Sequence, residues 1–133
     1  MFTITVDGHK YKFESNGGFT IANGGIGCNG NLNVTGGITA SGDITAYSDA
    51  RLKRNISTVE NALDIVDMLR GVWYSMGDKD RVGVIAQEIE QVLPQVVVTG
   101  DDGYKSVAYG NIVGVLIEAI KELKREVDRL KEK

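Results

Sequence analysis

Apolar and polar residues alternate from Phe2 to Phe13 (Phe-Thr-Ile-Thr-Val-Asp-Gly-His-Lys-Tyr-Lys-Phe), on both sides of Asp7-Gly8. Period-two alternation predicts strands, and Asp-Gly supplies the positive φ that a type I′ turn needs. A β-hairpin is therefore expected within residues 1–16. Phe2, Ile4 and Val6 share one face, with Tyr11 and Phe13 opposite them. A lone hairpin is marginal in water, so this one is expected to lean on further structure.

A different period follows. Gly24, Gly30, Gly36 and Gly42 recur every six residues, and so do Ile26, Leu32, Ile38 and Ile44, and Cys28, Val34, Ala40 and Ala46. Each hexad reads as a short strand with alternate residues inward, then a corner where glycine permits positive φ. Two inward side chains per strand are too few to offset the ordering entropy within one chain. The reading is a β-stalk over residues 17–47 in which several chains share one core, an intertwined trimer being the natural candidate. The alternative is a flexible Gly/Asn/Thr linker. Adding six to Gly42 lands on Ser48, where a charged, glycine-free run begins, and the main boundary is set there.

The second half reads as compact α/β. Ser57-Thr-Val-Glu60 fits a capping box for a helix running to about Arg70, with Gly71 just past its end. Val72–Met76 and Arg81–Ile85 read as strands joined through Gly77–Asp80. Ala86–Leu93 reads as a short helix stopped by Pro94, and Val96–Val98 and Tyr104–Val107 as a hairpin around Gly100–Gly103. Trp73, Val84, Ile85, Ile89, Leu93 and Val97 are the expected core. From about Asn111 to the end, Val113, Leu116, Ile120, Leu123, Val127 and Leu130 step by three and four residues, an a/d coiled-coil seam. Glu126 and Lys131 fall at g and the following e, where opposite charges can pair between chains. The alternative is an amphipathic helix packed on its own sheet. β-Branched residues at a with Leu at d favour two strands in isolated peptides, which stands in tension with a trimeric stalk.

The fold class is thus α+β: an N-terminal hairpin and Gly-rich hexad stalk over residues 1–47, then a small α/β domain over residues 48–133 ending in a long helix. Composition narrows the function. The chain of 133 residues suits one modest domain plus an appendage, and its net charge of −3 argues against a nucleic-acid partner. A single cysteine excludes an internal disulfide framework and leaves no zinc cluster. No apolar run reaches the ~18 residues of a membrane span, and the opening Met1-Phe2-Thr3 does not begin a signal peptide. No cofactor or metal is expected. His9, beside the first turn, reads as a surface residue, Cys28 as a small core residue, and Glu88, Glu90 and Glu118 as solvated helix faces. Gly24–Gly30 lacks the strand–helix context of a dinucleotide loop.

Ser48 and Lys53 lie five residues apart at the boundary. A serine hydroxyl becomes a competent nucleophile when a base takes its proton, and a neutral lysine can be that base. An ordinary lysine titrates near pH ~10.4, so working near neutrality means lowering it by about 3 units, roughly 4 kcal/mol. Burial and nearby cations such as Arg51 or Arg54 push in that direction. The spacing alone is equally compatible with a turn or cap made by Ser48 and Asp49.

Ser48-Asp49-Ala-Arg51-Leu52-Lys53-Arg-Asn55-Ile56 closely resembles the opening motif of the self-cleaving intramolecular chaperone domain of phage tail fibres and endosialidase-type tailspikes, the peptidase S74 family. Gly83-Val-Ile-Ala-Gln-Glu-Ile-Glu-Gln-Val-Leu-Pro94 and Val107-Ala-Tyr-Gly-Asn-Ile-Val-Gly-Val-Leu-Ile-Glu-Ala-Ile-Lys-Glu122 resemble two further blocks of it, in the same order. The resemblance implies a homotrimer in which this domain drives folding of the N-terminal fibre segment of its own chain. It also implies cleavage between Tyr47 and Ser48, with Ser48 as nucleophile, Lys53 as general base, and Asp49 and Arg51 in orienting roles. The expected setting is a virion tail fibre or tailspike assembled in the host cytoplasm, the chaperone part being released after cleavage. The alternative, from another class, is a structural trimerisation module that never cuts. Membrane-tethered transcription factors share the domain, but here no membrane segment or basic DNA-binding domain accompanies it.

Overall fold

The computed structural model describes residues 2–6, 8–22 and 24–133. The chain divides into two compact units, Met1–Tyr47 and Ser48–Lys133.

In the first unit, β1 (Phe2–Val6) and β2 (His9–Phe13) pair antiparallel, with Ile4 opposite Tyr11 and Val6 opposite His9. Gly8 takes φ +80° in the two-residue connection, as an Asp-Gly turn requires; Asp7 itself lies outside the described residues. The support the hairpin needed comes from a strand that the hexad reading overran. β3 (Phe19–Ala22) pairs with β2, placing Tyr11 opposite Ile21 and Phe13 opposite Phe19, whose rings stand 4.8 Å apart. The intervening turn is closed by Glu14 N donating to the Gly18 carbonyl at 2.8 Å, with Gly17 at φ +84° and Gly18 N donating to Asn16 Oδ1. Its alternating Phe-Thr-Ile-Ala was the available signal.

Residues 24–47 form no helix or strand within one chain. Ile26, Leu32, Ile38 and Ile44 are all exposed, as are the expected inward positions Cys28, Val34, Ala40 and Ala46. The strands expected for the hexads are absent from the single chain because their apolar pairs have nothing there to pack against.

In the second unit, a 3₁₀ turn at Ala50–Leu52 precedes α1 (Ala62–Asp67). Two antiparallel hairpins follow, β4 (Val72–Met76) with β5 (Lys79–Gly83), and β6 (Val97–Thr99) with β7 (Lys105–Val107). Between them lie α2 (Ala86–Val92) and a 3₁₀ turn at Pro94–Val96; α3 (Val113–Lys131) closes the chain after another at Tyr109–Ile112. β5 starts earlier than the pattern suggested because Gly77, at φ +61°, turns the chain in two residues. Gly83 lets the Tyr109 ring approach: a Cβ there would stand 2.6 Å from Tyr109 Oη, which accepts from Val84 N.

α1 corrects the capping-box expectation. Its first residue is Ala62, preceded by Asn61 in the left-handed region (φ +53°), and Gly71 does not take positive φ beyond its end. The free N–H groups of the first turn are capped from a distance: Ala62 N and Leu63 N donate to the two Glu122 carboxylate oxygens at 3.0 and 2.8 Å. A carboxylate there meets both orphan donors and the positive end of the helix, which outweighs a local serine cap.

The core is small. Ala62, Val115 and Ala119 form its centre, flanked by Val59, Leu63, Ile65, Val66 and Leu93, and Ile89 and Val96 are also buried. Of the expected core, Ile89 is buried and Val84, Ile85, Leu93 and Val97 are half-buried. Trp73 is 84% exposed, on the open face of a two-stranded sheet opposite Val82. α3 packs on α1 through Val115, Ala119 and Glu122, about a quarter-turn around the helix from the heptad positions. All six seam residues, Val113 through Leu130, remain exposed. The helix therefore does not spend its a/d stripe on its own domain.

Candidate active site

The geometry around Ser48 begins with a cap. Asp49, in extended conformation (φ −63°, ψ 132°), accepts from Arg51 N at 2.9 Å through Oδ1 and so starts the 3₁₀ turn. Leu52 N and Lys53 N close it by donating to the carbonyls of Asp49 and Ala50. Lys53 then returns to extended backbone (φ −113°, ψ 147°). Its side chain folds back along the turn, and Nζ donates to Ser48 Oγ at 2.7 Å. The chain next reverses at Asn55, which holds φ +52°.

Arg51 closes on the same carboxylate. Its Nε donates to Asp49 Oδ1 at 3.0 Å and its Nη2 to Oδ2 at 2.7 Å, a two-pronged pair. The Arg51 side chain holds the Asp49 carboxyl below its usual range, with the Arg51 backbone N–H adding to the effect, and Asp49 raises the guanidinium in return. Ser48, Asp49, Arg51 and Lys53 are thus gathered in one turn, and all four are exposed in the single chain. Tyr47, the residue before the serine, is 96% exposed, and the apolar side chains of Leu52 and Ile56 stand free beside the turn. The Tyr47–Ser48 peptide bond coincides with the division between the two units.

Other candidates carry less. Cys28 is an exposed free thiol directed at the Gly30 and Asn31 carbonyls, and the His9 side chain lies outside the described part of the structure. Glu88 pairs with Arg70 at 2.5 Å, Glu90 with Lys105, and Glu118 with Lys121, all in surface ion pairs. Glu126 pairs with Arg129 of its own helix in the single chain. Among the described residues no group of three or more His, Cys, Asp or Glu could hold a metal ion, and no helix is long and apolar enough to cross a membrane.

Glu122 escaped the sequence reading. Its signal was a second stripe on α3, Val115, Ala119 and Glu122 at helical spacing, containing a small residue that lets another helix approach. The backbone N–H groups of Leu63 and then Ala62 hold its carboxyl below the ordinary 4.5. A lowered folded value means that this clamp is fully present above the ordinary range and is lost as pH falls through the lowered one. Thermal melts followed by circular dichroism are expected to show Glu122→Gln a few degrees less stable than wild type at neutral pH, with the gap closing as pH falls below the ordinary carboxylate range. A constant gap at all pH values would contradict the clamp.

Residues 48–98 match the model of the peptidase S74 family, described as the chaperone of endosialidase. That match bears out the resemblance drawn from the motifs of this segment. The chain is also 36% identical over 97 residues to the long tail fibre protein Gp37 of enterobacteria phage K3, and likewise to that of enterobacteria phage T2. It is 35% identical over 97 residues to the Gp37 of Salmonella phage S16. These alignments cover 65%, 65% and 63% of this chain but only 8%, 7% and 13% of the relatives.

Proposed function

We propose that residues 48–133 are an intramolecular chaperone that brings three chains together, drives folding of the fibre segment before it in a virion tail fibre or tailspike, and then cuts itself off between Tyr47 and Ser48. The observation that carries this reading is the 2.7 Å hydrogen bond between Lys53 Nζ and Ser48 Oγ, next to the division between two units and inside the family match. When the amine is neutral, the same contact can carry the hydroxyl proton in the other direction.

The chemistry balances with one water. Lys53 Nζ takes the Oγ proton while Oγ attacks the Tyr47 carbonyl carbon. The nucleophile belongs to the residue just after the scissile bond, so attack closes a five-membered ring. The proton passes to the departing Ser48 nitrogen as the Tyr47–Ser48 C–N bond breaks, leaving an ester on Oγ. Water then hydrolyses the ester to the Tyr47 carboxylate and the Ser48 hydroxyl.

Assembly is supported by what one chain leaves bare. The second unit buries few apolar side chains, while the α3 seam, Trp73, Leu52 and Ile56 all stay exposed. A second or third copy of the seam is the natural cover for a/d residues, and the 1–47 segment, whose hexads bury nothing alone, is the natural folding client. The dyad is already in contact in one chain, so its geometry is not what assembly would change. The change is in environment: a solvated lysine stays protonated and silent, whereas one desolvated among three packed chains can act as a base. Cutting then reports that the stalk has formed, and it removes the domain that lowered the folding barrier, so three wound chains are left kinetically trapped.

The exposure of Ser48 and Lys53 in a single chain is the observation that favours the other reading, a trimerisation module that never cuts. Denaturing mass spectrometry separates the two: a cutting chain yields fragments 1–47 and 48–133, and a purely structural one stays whole. Lys53→Ala is expected to slow fragment appearance by at least about a hundredfold while the oligomer still forms. Oligomers of this variant that cut at the wild-type rate would remove the lysine from the mechanism.

A further inference from the structure

Asp49 stands four residues before Lys53, within the turn that folds the lysine back on Ser48. A free carboxylate at that place would compete with the serine hydroxyl for the ammonium. It would also stabilise the charged form of the lysine, the opposite of what a general base requires. Arg51 removes this competitor. Asp49 Oδ1 accepts from Arg51 N and Nε, and Oδ2 accepts from Nη2, so both oxygens are engaged by one residue. Among the described residues, Lys53 Nζ has one hydrogen-bond partner, Ser48 Oγ, although a carboxylate lies in the same turn.

We propose that Arg51 is a positioning residue that shields Lys53: by holding both carboxylate oxygens of Asp49, it leaves the lysine amine directed at Ser48 Oγ. This inference rests on the Ser48–Lys53 reading above and adds to it a distinct role for each member of the turn. Asp49 makes the turn by capping it, and Arg51 neutralises the charge that the cap introduces. A planar fork suits this task, because a lysine at position 51 could offer only a point charge to one oxygen at a time. The charged groups beside Lys53 in its own segment are Asp49, Arg51 and Arg54, and no hydrogen bond or ion pair from another element reaches it among the described residues. The balance around the amine is therefore one carboxylate against two guanidinium groups, and loss of Arg51 shifts it towards the carboxylate.

The test uses the full chain with Ser48→Ala, which cannot cut, and follows the Cε signal of Lys53 by NMR as pH is raised. Adding Arg51→Met is expected to move the Lys53 titration midpoint up by about one unit, because the freed carboxylate now stabilises the ammonium. Adding Asp49→Asn as well is expected to return the midpoint to its starting place, since an asparagine oxygen can still cap the turn but carries no charge. A midpoint unmoved by Arg51→Met, or one that stays shifted after Asp49→Asn, overturns the shield. The same substitutions with Ser48 restored are read as fragment yield against pH. There Arg51→Met is expected to displace the rising limb to higher pH by the same amount, costing about tenfold in rate near neutrality. A uniform loss at every pH would mark a merely structural role and also overturns the shield. Intact wild-type chains combined with a shifted midpoint would retain the shield and overturn the peptidase reading.

Discussion

Ser48→Ala is expected to keep the chain whole where, by the proposed self-cleavage, the wild type yields fragments 1–47 and 48–133. The loss should be at least about a thousandfold, because removing the proposed nucleophile would abolish the ester rather than slow its formation. The substitution deletes one exposed hydroxyl and should leave the fold and oligomeric state untouched. Denaturing mass spectrometry reads the outcome directly. Unchanged fragment yield from the alanine variant would show that any cut is made by another agent, and the dyad would lose its role despite the 2.7 Å contact.

Charging the α3 seam should act just as strongly, and on a different step. Ile120→Asp with Leu123→Asp places two carboxylates where each copy would bury apolar side chains, at 67% and 50% exposure in the single chain. Burying such a side chain is worth about 1.5–3 kcal/mol, so two per chain across several chains should dissociate the assembly. The face that binds α1 is built from Val115, Ala119 and Glu122, so the variant should retain its helical signal. Sedimentation is expected to report single chains, and fragment formation should cease with assembly. A variant that sediments like wild type would show that the seam is not the interface. One that falls to single chains yet still cuts would separate the peptidase from assembly.

The two predictions draw on features that were legible to different degrees. The Ser48–Lys53 pairing could be read from spacing and motif, and a six-residue segment brings the two groups together through local turn chemistry. The roles within that segment could not. Arg51 donating through three nitrogens to Asp49 depends on the backbone having first entered the 3₁₀ turn, and spacing alone is silent on that. Trp73 shows the opposite failure: its size and apolarity suggested a core position, yet it sits on the open face of β4, where period-two alternation does not say which face is covered.

The first hairpin, the β4–β5 and β6–β7 connections, the hexad spacing and the apolar stripe of α3 were all present in the order of residues, because each depends on φ preferences or side-chain period over a few neighbours. Where α1 begins was not, since its cap is a carboxylate sixty residues away in the chain. Nor was the choice of stripe by which α3 packs on α1. Local patterns specify which faces are apolar; only the meeting of distant segments decides which of them are buried in one chain and which stay exposed.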